Sequence, residues 1–170
     1  MVVMNASPQT VIRPATPADA DLVVTMLLEL AVHEDSVSYV KSTAAQWRTM
    51  LIRSDVIVLL AFRDSSPVGF VSAVRELNLW LGKDIVALDD LYVRESARNQ
   101  RVGEALMREL ANRVADERLT IRWGINPSNE AGQRFYRRLG ATLSPKVNAT
   151  WHPEAYMEGE VDLPLRELPV

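Results

Sequence analysis

The densest run of chemically useful residues lies between positions 88 and 106. Leu88-Asp89-Asp90-Leu91-Tyr92-Val93 reads as the end of a strand, Arg98-Asn99-Gln100-Arg101 as a turn, and Val102-Gly103-Glu104-Ala105-Leu106 as the start of a helix. A helix that opens just beyond a strand end presents unpaired N–H groups and the positive end of its macrodipole, so it can hold phosphate oxygens. Gly103 would let a ligand come close to the backbone. Asp89 and Asp90 are neighbours on a strand, so their side chains face opposite sides unless a bulge intervenes, and one of them is expected to reach a reacting group. The bland reading of either acid is a solvated strand edge. A second pattern, Asn129-x-x-Gly132-x-x-Phe135-Tyr136-x-x-x-Gly140, sits at helical spacing. Taken alone it means an N-cap and core packing.

The surrounding periodicities supply the elements that must position these groups. Residues 11–13 read as a short strand, preceded by an extension over 1–10. Thr16-Pro17-Ala18-Asp19 then gives an N-cap, a proline at N1 and an acid at N3, and Leu22, Val23, Met26, Leu27 and Leu30 follow on a helical stripe. The polar run 33–42 predicts a loop able to reach over a site, and 43–53 a second helix. Apolar runs at 56–62 and 68–76, separated by Asp64-Ser65-Ser66-Pro67, form a hairpin pattern, and 85–93 is dense in β-branched and aromatic residues. Val102, Leu106, Leu110 and Val114 mark a third helix, 120–125 a buried strand, and 129–139 a fourth helix stopped by Gly140. Short edge strands are expected at 142–144 and 148–151. Strands followed by helices imply an α/β domain over 11–170, a mixed sheet with helices on its faces.

Arg98-x-x-Arg101-x-Gly103 resembles the Q/R-x-x-G-x-G/A motif of the GNAT N-acetyltransferases, and Asn129-x-x-Gly132-x-x-Phe135-Tyr136-x-x-x-Gly140 resembles that family's N-x-x-A-x-x-F/L-Y-x-x-x-G. The resemblance spans roughly 11–141. It implies a mostly antiparallel mixed sheet of about six or seven strands with about four helices. It also implies that residues 98–105, with Val102, Glu104 and Ala105 at the helix start, hold the pyrophosphate of acetyl-coenzyme A, while Leu91, Tyr92 and Val93 pair with its pantetheine arm. Asn129 would fix the pantetheine or the helix terminus. Tyr136 would be the acid, because a phenol of pKa about 10 stays protonated at neutral pH and can donate to a leaving thiolate. Two positions depart from the motif: Asn99 and Arg101 stand where glycine is usual. A positive φ at Arg101 would cost about 1–2 kcal/mol, so the expectation here is an ordinary backbone with the guanidinium clamping a phosphate.

On the acceptor side, Trp80-Leu81-Gly82-Lys83 and Leu88-Asp89-Asp90-Leu91-Tyr92-Val93 are similar to the W-x-G-K and L-E-D-F-F-V segments of diamine (spermidine/spermine) N-acetyltransferases, and Glu29-Leu30-Ala31-x-x-Glu34 resembles their first helix. The resemblance implies that Asp89 assists deprotonation of the amine, and that Glu29, Glu34, Asp90 and Trp80 contact a small cationic substrate. A free alkylamine is about 0.1% neutral or less at pH 7, so its proton needs an acceptor. Because Asp89 is shorter than glutamate, a bridging water is plausible there. Trp80, read by itself, is a partly buried packing residue. Arg134, Arg137 and Arg138 make a basic helix face, most simply a solvated one.

Composition removes other chemistries. With no cysteine among 170 residues there is no disulfide, thiolate metal site or cysteine nucleophile, and His33 and His152 are isolated, so no metal is expected. A net charge of -3 lacks the basic footprint of nucleic-acid binding. Residues 1–10 show neither a basic leader nor an apolar core, and no stretch is long and apolar enough to span a membrane, which predicts a cytoplasmic protein. A homodimer is what the resemblance implies. Two other readings stay open: acetylation of a peptide or protein amine, and a module that binds acyl-coenzyme A without turnover, the latter suggested by Arg101 and the short Asp89.

Overall fold

The computed structural model describes residues 9–157, so most of the 1–10 extension and the last residues lie outside it. The chain divides into two compact units between Asn129 and Glu130. The first carries five strands in the order β1-β2-β3-β4-β5: β1 Thr10–Pro14, β2 Val56–Arg63, β3 Ser66–Asn78, β4 Lys83–Val93 and β5 Ile121–Arg122. All neighbours are antiparallel except β4 and β5, which are parallel. With helices α1 (Ala20–His33), α2 (Ala44–Met50) and α3 (Val102–Val114), this is the expected α/β class with a mixed sheet. Five strands replace the expected six or seven among the described residues, because neither 142–144 nor 148–151 pairs. The predicted strand at 120–125 contracts to Ile121–Arg122.

Each face of the sheet is buried by a different helix set. On one face α1 and α2 pack Ala20, Val23, Met26, Leu30 and Trp47 against Val58, Leu60, Phe70 and Tyr92. On the other, α3 buries Val102, Leu106, Leu110 and Val114, all within 5% exposure, as its 3.6-residue stripe requires. The entry to α1 is a 3-10 turn, Pro17–Asp19, fixed by a capping box in which Asp19 accepts from the Thr16 N–H at 2.8 Å. Arg13 on β1 grips the same Asp19 with two bonds, at 2.8 and 2.7 Å, tying strand to helix start and holding that carboxyl far below its usual range. At the far end Asp35 takes a left-handed conformation (φ 53°) and Ser36 N–H returns to Ala31 O at 2.8 Å, which stops α1.

Gly69 on β3 marks the tightest approach in the sheet. A Cβ there would stand 2.5 Å from the Tyr92 carbonyl oxygen, so only glycine lets the end of β4 close onto β3. The second unit contains α4, Glu130–Arg138, and α5, Pro153–Met157. Among the described residues no helix is long and apolar enough to cross a membrane.

Candidate active site

Strand β4 is the spine of the site, and its two halves are paired differently. Val86 and Ala87 bond to β5, but no described strand pairs with residues 88–93 on that side. On that edge Val93 O already accepts from Arg98 Nε, and the remaining outward N–H and C=O groups form a row ready to be completed.

Beyond the edge the chain makes a 3-10 turn, Glu95–Ala97, and then enters α3. Asn99 and Arg101 both adopt left-handed backbone, at φ 60° and 62°. This corrects the sequence reading of Arg101, which gave it an ordinary backbone. The turn keeps the shape that the family's glycines would give it, and Arg101 bears the Cβ penalty, about 1–2 kcal/mol. Asn99 tolerates the same conformation more easily. Arg98 folds back, its Nε donating to Val93 O at 3.0 Å, and Gln100 donates to Ser96 O at 2.8 Å. The first helical bond is Ala105 N–H to Arg101 O at 3.0 Å, so the Val102, Gly103 and Glu104 N–H groups have no partner within the helix. An extended arm could lie along the open edge, and a diphosphate could cap those amides. The donors fit a pantetheine-diphosphate ligand.

The two adjacent aspartates meet a bulge. Ala73 pairs with Leu88 and Ser72 with Asp90, so Asp89 is the extra residue and the strict alternation of β4 is broken. Asp90 shares a face with Ser72, two residues along from the Phe70 and Tyr92 pair that packs against α1 and α2. Ser72 Oγ donates to Asp90 Oδ2 at 3.1 Å, which lowers the Asp90 pKa, but burial is the larger influence and pushes that carboxyl upward. Asp89 opens to solvent at its surface, yet the surrounding protein, then the charges of Asp90 and Glu76, also hold its pKa up. Two carboxylates whose charged forms are disfavoured are suited to accept a proton or receive a cation.

Asp90 forms part of the lining of an open pocket of about 370 Å³, walled by Leu27, Leu30, Ala31 and Glu34 of the α1 end and by the segment 36–42. The predicted loop at 33–42 thus takes a definite shape, with a 3-10 turn at Val37–Tyr39. Thr43 and Gln46 form a reciprocal capping box at the start of α2, and Trp47 Nε1 donates to Ser42 Oγ at 3.0 Å, pinning the segment from beneath. The C-terminal end of α1 adds the negative pole of its dipole to the charges of Glu34 and Asp90.

The structure therefore brings Glu34 and Asp90 together at one pocket, with Asp89 beside Asp90. Glu29 goes elsewhere: both its oxygens are taken by the Arg94 fork, at 2.7 and 2.8 Å, and Arg94 also reaches Pro67 O at 2.7 Å. Arg94 holds the Glu29 carboxyl below its ordinary range, while burial first, and then Glu29, raise the Tyr92 phenol. Trp80 does not pack as its type suggests; it stands 99% exposed at the tip of the β3–β4 hairpin, where Asn78 Oδ1 accepts from the Trp80 and Leu81 N–H groups. Asn129 closes the first unit, its N–H donating to Asn126 O at 2.8 Å. Tyr136 lies half-buried on α4 in the second unit, edge-on to Phe135 with ring centres 5.0 Å apart. Sequence reasoning missed Ser72, Tyr39 and Lys41; a lone serine in a strand and a lysine in a polar loop carry no local signal.

Known proteins share this fold. A thialysine N-epsilon-acetyltransferase of Caenorhabditis elegans is 26% identical over 122 residues, covering 71% of this chain and 76% of its own length. An aminoglycoside N-acetyltransferase solved in complex with CoA superposes with a TM-score of 0.73 at 16% identity, over 89% of this chain and 99% of that one. A ribosomal-protein-alanine N-acetyltransferase from Brucella melitensis biovar Abortus 2308 gives 0.68 at 18% identity, over 85% and 99%. The acetyltransferase (GNAT) family matches residues 24–141, most of the chain, from within α1 to just past α4, and to that family the chain belongs.

Proposed function

We propose that this acetyltransferase moves the acetyl group of acetyl-CoA onto the primary amine of a small cationic molecule, a polyamine, an amino acid or a similar amine, within a ternary complex. The observation that carries the reading is the unpaired β4 edge at 88–93, which runs from the acidic pair at Asp89 and Asp90 to the left-handed turn before α3. Leu91, Tyr92 and Val93 would hold the extended arm through their backbone, and residues 98–105 the diphosphate. Bound acetyl-CoA supplies a thioester whose carbon–sulfur bond breaks as the amine nitrogen bonds to the acyl carbon.

The residues of the chain do the rest. Asp90 and Glu34 draw the ammonium into the pocket, and Asp89 takes its proton, directly or through one water. A carboxyl with a raised pKa is a stronger base than an ordinary one. Tyr136 Oη holds the proton for the leaving sulfur, and Asn129 steadies the start of α4. Alignment in the ternary complex supplies much of the rate enhancement. The same reading includes a cytoplasmic homodimer, which cell fractionation and light scattering check.

Calorimetric titration with acetyl-CoA, followed by free-thiol release against a panel of small amines and peptides, tests the proposal. Binding together with release on small amines is the expected result. Binding with no release would instead indicate a regulatory module, and release confined to peptides a protein N-acetyltransferase.

A further inference from the structure

The acidic pocket contains one charge of the wrong sign for a simple polycation. Asp90 lines it from the strand and Glu34 from the end of α1, but Lys41 lines it from the segment that crosses above. Lys41 has no hydrogen bond or ion pair with any described residue, so neither acid neutralises it. Its side chain is exposed, but the segment that carries it is tied on both sides. Val40 N–H donates to Val37 O at 3.1 Å, and Ser42 Oγ accepts from the buried Trp47 indole at 3.0 Å. The hydroxyl-bearing residues Ser36, Tyr39 and Ser42 line the same wall.

A diamine or polyamine offers only positive charge, and it would meet an ammonium of like sign along this wall, an element of rejection built into the site. A molecule whose amine and carboxylate lie on one short skeleton meets complementary charge on both sides. A pocket of about 370 Å³ matches a ligand of amino-acid size. Resting on the N-acetyltransferase reading above, we infer that the acceptor is an amine that also carries a carboxylate. Lys41, with the neighbouring hydroxyls, selects it by pairing with the carboxylate, while Asp90 and Glu34 face the amine.

The test compares matched pairs that differ only by the carboxylate: L-lysine with cadaverine, and L-ornithine with putrescine. Free-thiol release is followed for the wild type, Lys41→Ala and Lys41→Glu, with the melting temperature of each variant as a check on folding. The expected wild-type preference for the carboxylated member is on the order of tenfold or more in kcat/KM, carried mainly by KM. Lys41→Ala should remove most of that preference and Lys41→Glu should reverse it. Two results overturn the inference: a wild type that favours the diamines, or a preference for the amino acids that persists in Lys41→Glu. Bound acetyl-CoA with no release from any amine sinks the N-acetyltransferase reading itself, and is distinguishable because no ratio can then be formed.

Discussion

The two sides of β4 offer a ligand different groups. On the side toward α3, the groups proposed to bind the cofactor belong to the backbone: an unpaired strand edge, two residues in left-handed conformation and the first amides of a helix. On the side toward α1, the groups proposed to receive the acceptor are side chains: Glu34, Lys41 and Asp90, gathered from segments almost fifty residues apart in the chain. A backbone site survives changes of residue type provided the φ angles are kept, which is how Asn99 and Arg101 can stand where glycine is usual. A side-chain site changes its ligand with one substitution.

Substitutions can break this comparison in order of size. The largest effect is expected from Asp89→Asn, which removes the proposed base and should lower kcat by about 100-fold, with acetyl-CoA affinity read by calorimetry unchanged. The pH profile carries the sign. Burial, Asp90 and Glu76 raise the Asp89 pKa, so the ionised, active form is lost as pH falls through that raised value, and the acidic limb of kcat/KM should lie above the range of an ordinary carboxylate. An unshifted limb would contradict the assignment. Tyr136→Phe should lower kcat by roughly 10- to 100-fold with a smaller change in cofactor binding; an unaltered kcat removes Tyr136 from the mechanism.

Stability changes sharpen the structural half of the contrast. Gly69→Ala drives a Cβ into the Tyr92 carbonyl and should cost about 1–3 kcal/mol, read in denaturant unfolding, with cofactor affinity falling because the open edge of β4 is displaced. Glu29→Gln breaks the Arg94 fork and should cost on the order of 1 kcal/mol, since both partners keep some access to water. The Glu29 pKa is lowered by Arg94, so its contribution is complete above the ordinary carboxylate pKa and disappears as pH falls through the depressed value. Stability curves of wild type and Glu29→Gln should therefore converge in acid. The smallest effect is Arg101→Gly: relief of the left-handed penalty, offset by the entropy of glycine in the unfolded chain, leaves about 0.5 kcal/mol of net stabilisation. If the guanidinium also clamps a phosphate, the same variant should bind coenzyme A more weakly; a purely backbone turn leaves the affinity as it was.

The elements that frame the backbone side were legible in the sequence, but the left-handed backbone of Arg101 was not. The third helix begins at Val102, where the spacing switches, and strand β4 differs from its predicted span only at its first two residues. The bulge at Asp89 was foreseen only as a condition, since nothing local in Leu88-Asp89-Asp90 announces which residue will go unpaired. The acceptor pocket was half legible. Glu34 and Asp90 were named as substrate contacts, but Glu29 was captured by Arg94, 65 residues away, a pairing no periodicity records. Trp80 failed as a packing residue because a hairpin tip lies beyond the reach of either helix layer. The strands expected at 142–144 and 148–151 do not form among residues rich in polar and turn-forming types.

Amide hydrogen exchange along β4 and into α3 tests the central claim most directly. With acetyl-CoA added, slowed exchange is expected within the edge 88–93 and at Val102, Gly103 and Glu104, while the amides of β2 and β3 stay as they were. Unchanged exchange along that edge under saturating cofactor would contradict the account.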